Sequence, residues 1–159
     1  MTQVKVDPEK INMLGLRITK SYFEVDESAL EEPELVENIK LGCKSESAFN
    51  VDEKYHFFRL YIKIQGFDKN EKQVRVRGEY HIDFHYIVEN LSEFVSFEND
   101  DTEINVDANL GATIAGISYS TSRGIILDRT QTTDFNGVIL PIINPHNLLD
   151  KDTFSEMEN

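Results

Sequence analysis

Two histidines and an aspartate alternate near the middle of the chain, at His81, Asp83 and His85. Imidazole and carboxylate groups are common zinc ligands, so this spacing raises the question of a metal site. Along a β-strand, however, every second residue lies about 6.6 to 6.8 Å further on, which is too far for three side chains to converge on one ion. We therefore predict no metal site here and no cofactor for the protein.

A second group of oxygen-bearing side chains occupies alternate positions, as the ligands of a calcium loop do: Asp101, Glu103, Asn105 and Asp107. Val106 replaces the glycine that such a loop requires, and Ala112 replaces its bidentate glutamate. Acidic residues before a helix are explained more simply by the positive end of the helix dipole. Because the sequence also lacks the signature motifs of serine hydrolases, nucleotide-binding loops and zinc peptidases, we assign no catalytic residue.

The chain has 159 residues, a formal net charge of −13 and an isoelectric point near 4.6. This length suits one domain, which we expect to span residues 1–159 with a core at about 10–149 and an acidic, frayed tail at 150–159. Nucleic acids and anionic membranes bind clustered lysine and arginine, so neither is an expected partner. No basic leader and no apolar run of about 18 residues occurs, which predicts a cytoplasmic protein. The lone Cys43 is expected to be buried.

Alternating apolar residues predict β-strands in the first half of the chain. In residues 74–86 the even positions are apolar except for Gly78, while the odd positions are charged or histidine. This pattern is typical of a strand with one buried face. Residues 57–64 repeat it less cleanly, and the polar linker at 65–72 is expected to join the two as a hairpin. Residues 11–22 and 35–44, separated by an acidic loop, bring the expected number of strands to four.

One long helix is predicted after position 102. Its core-facing stripe recurs every three or four residues, at Leu110, Ile114, Ile117, Thr121 and Ile125. A second row contains only small residues at intervals of four, at Ala112, Gly116, Ser120 and Gly124. Glycine inside a helix costs about 1 kcal/mol, whereas small side chains let two helix backbones approach closely. We interpret this row as an oligomer interface and expect a homo-oligomer.

Four strands followed by one helix predict an α+β fold: a four-stranded antiparallel sheet with the long C-terminal helix packed on one face and a crossover tail. From the helix onward, the chain resembles the SecB export-chaperone family. The residues that carry the resemblance are Leu110-Gly111-Ala112, Tyr119 and Arg123 in the helix, then Phe135, Leu140-Pro141-Ile142-Ile143-Asn144 and Leu148-Leu149. With the preceding strands, the resemblance covers roughly residues 10–149.

The resemblance implies an ATP-independent holdase, a dimer of dimers that binds unfolded polypeptides or preproteins in an apolar groove between the sheet and the crossover. The matching crossover positions are Phe135, Val138, Leu140 and Ile142. The matching strand positions, which would form the groove floor, are Phe58, Leu60, Tyr80 and Phe84. For these four strand residues, core packing beneath the helix is the alternative interpretation.

The chain also departs from the family pattern in two places. The family has an Arg-Gly turn in the crossover, whereas residues 129–134 contain no glycine. The family partner SecA docks on an acidic outer sheet face, where we instead expect Arg75 and Arg77. SecB-like proteins also serve toxin–antitoxin systems, which makes an antitoxin the alternative, dedicated partner.

A thioesterase of the hot-dog type is the enzymatic alternative, because it also packs a long helix against an antiparallel sheet. Asp101 or Glu103, near the helix start, would then be the candidate acid. Hot-dog folds wrap their strands around a helix near the N-terminus, whereas every strand predicted here precedes the helix. We therefore predict a binding protein rather than an enzyme.

Overall fold

The structure, a computed structural model, describes residues 4–27, 31, 36–98, 103–131 and 136–149, with the backbone alone described at 75 and 155–157. Phe135 and most of the predicted acidic loop lie outside these ranges. The elements within them are β1 (Ile11–Val25), β2 (Asn38–Asn50), β3 (Tyr55–Phe67), β4 (Gln73–Val88), β5 (Val95–Glu98), β6 (Glu103–Val106), α1 (Ala108–Thr130) and β7 (Ser155–Met157). None of the helices in these ranges is long and apolar enough to cross a membrane.

The predicted α+β fold is confirmed. The four long strands form an antiparallel sheet in the order β1-β4-β3-β2, and β7 adds at the far edge of β2. β3 and β4 form the expected hairpin, in which Phe58 lies opposite Phe84 and Leu60 lies opposite Ile82. β5 and β6 pair separately as a short hairpin that leads into α1.

One face of the sheet, here called the inner face, lies beneath α1 and holds the core. Even-numbered residues of β3 and β4, such as Leu60 and Ile82, are fully buried there. Leu41 and Cys43 of β2 belong to the same cluster, which confirms the expected burial of the cysteine. The alternation in the sequence therefore identified the buried face correctly, and removal of this apolar surface from water holds the layers together.

α1 begins where Asp107 caps it, since the Asp107 side chain accepts a hydrogen bond from the backbone of Asn109 at 2.8 Å. The buried row of the helix differs from the predicted stripe, because Ile117, Thr121 and Ile125 are only half-buried. The fully buried row repeats every four residues: Leu110, Ile114, Ser118, Ser122, Ile126 and Thr130. Its hydroxyl groups are buried at little cost because each is hydrogen-bonded, for example from Ser122 to the carbonyl of Ser118 at 2.8 Å.

Two features of the sheet were not predicted. The β5–β6 hairpin has only four residues in each strand, which is too short for a clear alternating pattern. The tail was expected to be frayed, but its residues 155–157 pair with β2, Glu156 lying opposite Gly42. The sequence Ser-Glu-Met gives no apolar signal for this strand.

His56 lies on the inner face, buried among the rings of Phe49, Phe58 and Tyr86. Its Nε2 atom lies 3.4 Å from Ser47 Oγ, while its Nδ1 atom has no hydrogen-bond partner among the described residues. Burial disfavours the charged imidazolium and lowers the pKa of His56 to about 4. This histidine is therefore neutral at pH 7.

We expect acid to destabilise the fold through His56. The unfolded chain protonates this site near pH 6.5 and the folded chain only near pH 4. Between these values the unfolded state binds more protons, so the free energy of unfolding falls as the pH is lowered. The full difference is about 3 kcal/mol. His56→Phe keeps a ring but cannot titrate, so its free energy of unfolding, measured by urea titration, is expected to fall less steeply over this window. An unchanged pH slope would contradict the assignment.

A hydrogen bond between Tyr86 and Ser118 joins the sheet to α1 inside the core, with 2.8 Å between the two hydroxyl oxygens. Ser118→Ala leaves the buried phenol without this partner and is expected to lower the free energy of unfolding by about 1 to 3 kcal/mol. The double variant Tyr86→Phe/Ser118→Ala is expected to lose less than the sum of the single variants. Strict additivity in chemical denaturation would show that the bond contributes nothing.

Candidate functional site on the helix and the return segment

Residues 136–149, here called the return segment, run back along α1 toward its N-terminus. Side chains of α1 hold its backbone through three hydrogen bonds: Thr130 Oγ1 accepts from Val138 N (2.7 Å), Arg123 Nε donates to Leu140 O (2.9 Å) and Tyr119 OH donates to Pro141 O (2.9 Å). Positions descend along the helix as they ascend along the segment, so the two run antiparallel. These bonds satisfy backbone groups that would otherwise need a strand partner.

The far end of the return segment closes against the first half of α1. A Cβ atom at Gly116 would lie 3.2 Å from Pro145 Cγ, and one at Gly111 would lie 3.3 Å from the Leu149 side chain. The missing side chains therefore permit this close approach. The Ser45 hydroxyl donates to the carbonyl of Leu148, which joins the segment to β2.

Side chains of the return segment alternate between the core and solvent, as expected of an extended chain. Val138 and Leu140 are fully buried in the main core cluster. Ile139 is 68% exposed and Ile142 is 86% exposed, the two highest values among the exposed large apolar residues of the described chain. The segment is therefore fixed by its backbone and presents two isoleucines to solvent.

The residues suggested for the groove fall into three groups. Those of the strands and two of the crossover are buried in the core and present almost no surface to a ligand: Phe58, Leu60, Tyr80, Phe84, Val138 and Leu140. Ile142 is exposed, and Phe135 lies outside the described residues. Sequence reasoning missed Ile139, although period-two alternation from Val138 would have indicated that it points outward.

A groove lies on the outer side of α1, between residues 4–6 on one side and residues 144–146 on the other. Its volume is about 1010 Å³, and three members of the small-residue row line it: Ala112, Gly116 and Ser120. Within the row, Gly116 is already in contact with Pro145 of the same chain, whereas Gly124 has open space around its Cβ position. The exposed part of the row is therefore at Ser120 and Gly124.

The surface of α1 carries little charge. Between Ala108 and Leu127 the only charged side chain is Arg123, which is bonded to the return segment. In the whole chain 28% of the residues are charged, so an exposed helix would ordinarily carry several charges on its solvent side. A neutral exposed helix face with small side chains is suited to contact with another apolar surface.

Burial keeps two titratable side chains, Cys43 and Tyr119, in their protonated forms. Burial raises the pKa of Cys43 to about 12, so its thiol stays protonated, and burial also raises the pKa of Tyr119. On the sheet face that points away from α1, here called the outer face, Asp83 pairs with Arg59, and His81 Nε2 lies 2.8 Å from Glu79 Oε1. No group of three metal-ligating side chains occurs in the part of the chain that the structure describes.

No protein-family model and no curated protein matches the sequence. Among solved structures, the chain is similar to the SecB-like chaperone Rv1957 of Mycobacterium tuberculosis, determined in complex with a ChAD peptide from the HigA1 antitoxin Rv1956. The TM-score is 0.54 and the sequence identity 13%, over 85% of this chain and 91% of that chain. At this identity the similarity shows the fold, which is SecB-like.

Proposed function

We propose that the protein is an ATP-independent holdase, a chaperone that binds extended stretches of unfolded polypeptide through Ile139 and Ile142 of the return segment. The observation that carries this proposal is the exposure of both isoleucines on a segment whose backbone is already fixed by α1. The SecB-like fold supports it, since the similar structure is a chaperone holding a peptide.

The energetics of such a site suit loose client selection. Full burial of one isoleucine side chain stabilises a complex by about 1.5 to 3 kcal/mol. Several such contacts together can hold a client, but they are too weak to select one client sequence. Because the segment is fixed before binding, little conformational entropy is lost on the chaperone side. No nucleotide is needed for this mode of binding.

A dedicated-partner chaperone is the second candidate, because the peptide in the similar structure comes from an antitoxin. In that case the client is one exposed segment of an antitoxin rather than many unfolded proteins. In the first case the clients include preproteins for export. Both proposals place the protein in the cytoplasm.

The neutral face of α1 supports a homo-oligomer, proposed here as a dimer of dimers. Close approach of a second helix requires small side chains, which the row provides at Ser120 and Gly124. Association through this face would cover the half-buried Ile117 and Ile125 and leave the isoleucines of the return segment available.

The double variant Ile139→Ser/Ile142→Ser tests the client site. Loss of two exposed apolar contacts is expected to weaken binding of a chemically unfolded model protein by about tenfold or more, measured as suppression of its aggregation without ATP. The folded structure is expected to persist because neither side chain belongs to the core. The matched control is Phe97→Ser/Ile104→Ser on the β5–β6 hairpin, which removes two exposed apolar residues elsewhere.

Undiminished suppression by the Ile139/Ile142 variant would remove the return segment from the site, and equal loss in the control would show that exposed apolar area alone matters. If the wild-type protein suppresses no aggregation but binds an antitoxin peptide, the dedicated-partner function is supported instead. Leu140→Asp is unsuited to this test, since it would place a charge in the core.

Gly124 offers a matched pair of variants for the oligomer interface, because the space around its Cβ position is open. Gly124→Ala is expected to raise helix stability by up to about 1 kcal/mol and leave the assembly intact. Gly124→Glu places a charge on the neutral face and is expected to reduce the assembly to smaller species, measured by analytical ultracentrifugation. An unchanged mass for the folded glutamate variant would exclude this face from the interface.

A further inference from the structure

The return segment carries main-chain groups that α1 does not bind. The three bonds to α1 use the N–H of Val138 and the carbonyls of Leu140 and Pro141. The N–H and C=O groups of Ile139 and Ile142 make no hydrogen bond within the part of the chain that the structure describes. In an extended segment such groups are ordinarily paired with a neighbouring strand. These two residues therefore offer the donors and acceptors of a strand edge.

Strand geometry indicates the side on which this edge lies. In an extended chain the main-chain polar groups of successive residues point to opposite sides, and their side chains also alternate. The side chains of Val138 and Leu140 are buried, and a main-chain atom of each is bonded to α1. The N–H and C=O groups of Ile139, which lies between them, therefore point away from α1.

Pro141 divides the edge into two short parts. A proline ring has no N–H, and the carbonyl of Pro141 accepts a hydrogen bond from Tyr119. On either side of it, Ile139 and Ile142 are the residues whose side chains are most exposed to solvent. They are three residues apart, a distance of about 10 Å in an extended chain. The same two residues therefore present both an apolar side chain and main-chain donors and acceptors.

From these main-chain groups we propose that a client segment binds as an added β-strand along the return segment, with main-chain hydrogen bonds to Ile139 and Ile142. Such pairing rests on the client site proposed above and defines its ligand, which is an extended polypeptide with apolar side chains at alternate positions. A helical segment is excluded, because its own N–H and C=O groups are bonded to each other. Clients are thus selected by their unfolded conformation rather than by their sequence.

The bonds from α1 make strand addition favourable. Tyr119 and Arg123 hold the edge in place before a client arrives, so mainly the client loses conformational freedom on binding. A single main-chain bond adds little, because it replaces a bond to water. Apolar side chains of the client that cover the two isoleucines exclude water from the same place, which strengthens the adjacent hydrogen bonds.

Three peptides test the role of the client main chain. The first is a labelled peptide of about six residues that alternates leucine with serine, long enough to pass both isoleucines once. The second has esters in place of its central amides, which removes N–H donors and keeps the side chains. The third, the matched control, has the same number of esters at its ends.

Fluorescence anisotropy is expected to show that the second peptide binds about tenfold or more weakly than the first, because two or more hydrogen bonds are lost. The third is expected to bind within about threefold of the first. Equal affinity of the first two peptides would overturn strand addition, and so would failure of the all-amide peptide to bind.

The double variant Ile139→Ser/Ile142→Ser separates main-chain from side-chain contacts. It is expected to weaken binding of the first and second peptides by the same factor, because serine keeps the N–H and C=O groups while the apolar side chains are lost. If the wild type suppresses client aggregation, the variant does not, and the two peptides bind the wild type equally, the client site stands and strand addition fails. If the wild type neither suppresses aggregation nor binds the peptides, both fail.

Amide hydrogen exchange resolved by residue with NMR locates the bonds. Saturation with the all-amide peptide is expected to slow exchange of the Ile139 and Ile142 N–H groups by about tenfold or more. The N–H of Val138 is the internal control, since it is already bonded to Thr130. Unchanged exchange at Ile139 would contradict the proposal. Slow exchange there without peptide, increasing with protein concentration, would show that a second copy occupies the edge and would overturn a client strand.

Discussion

The arrangement of the candidate site depends on the hydrogen bonds that α1 gives to the backbone of the return segment. A buried extended chain needs partners for its N–H and C=O groups, and here Tyr119 and Arg123 bind the carbonyls of Pro141 and Leu140. The segment therefore covers the core without being part of the sheet. Because its alternate side chains are buried, the remaining ones must point to solvent, which produces the exposed isoleucines.

Much of the fold was predictable because strand and helix periods are local properties of the sequence. The buried face of β4 could be inferred from residue spacing, and acidic residues were expected at the N-terminus of α1. The site residues were harder to predict, because the burial of Phe58 and Leu140 depends on how α1 and the return segment pack on the sheet. The prediction of the buried row of α1 was wrong because serine is polar and Ser118 was not expected in the core. Its hydrogen bond to Tyr86 makes its burial favourable. β7 could not be predicted because its sequence has no alternating apolar pattern.

The distribution of charge separates the surfaces of the molecule. Between Ala108 and Leu127, α1 carries one charged side chain, whereas the outer face of the sheet carries several, among them Arg17, Arg59 and Arg77. Arg77 lies on that face as predicted from the strand alternation. An acidic outer face of the kind that receives SecA is therefore absent among the described side chains, although the backbone fold is SecB-like. The core that forms the SecB-like fold and the charged outer positions therefore lie on opposite faces of the same strands.

Hydrogen exchange with mass spectrometry tests most directly whether clients bind the return segment. The wild-type protein is compared with and without a chemically unfolded client, in the absence of ATP. Client binding through Ile139 and Ile142 predicts slower exchange in residues 136–143 and across α1 where it contacts them, with no change on β1. Protection confined to the outer strands, or no protection on the return segment despite client binding, would contradict the proposed site.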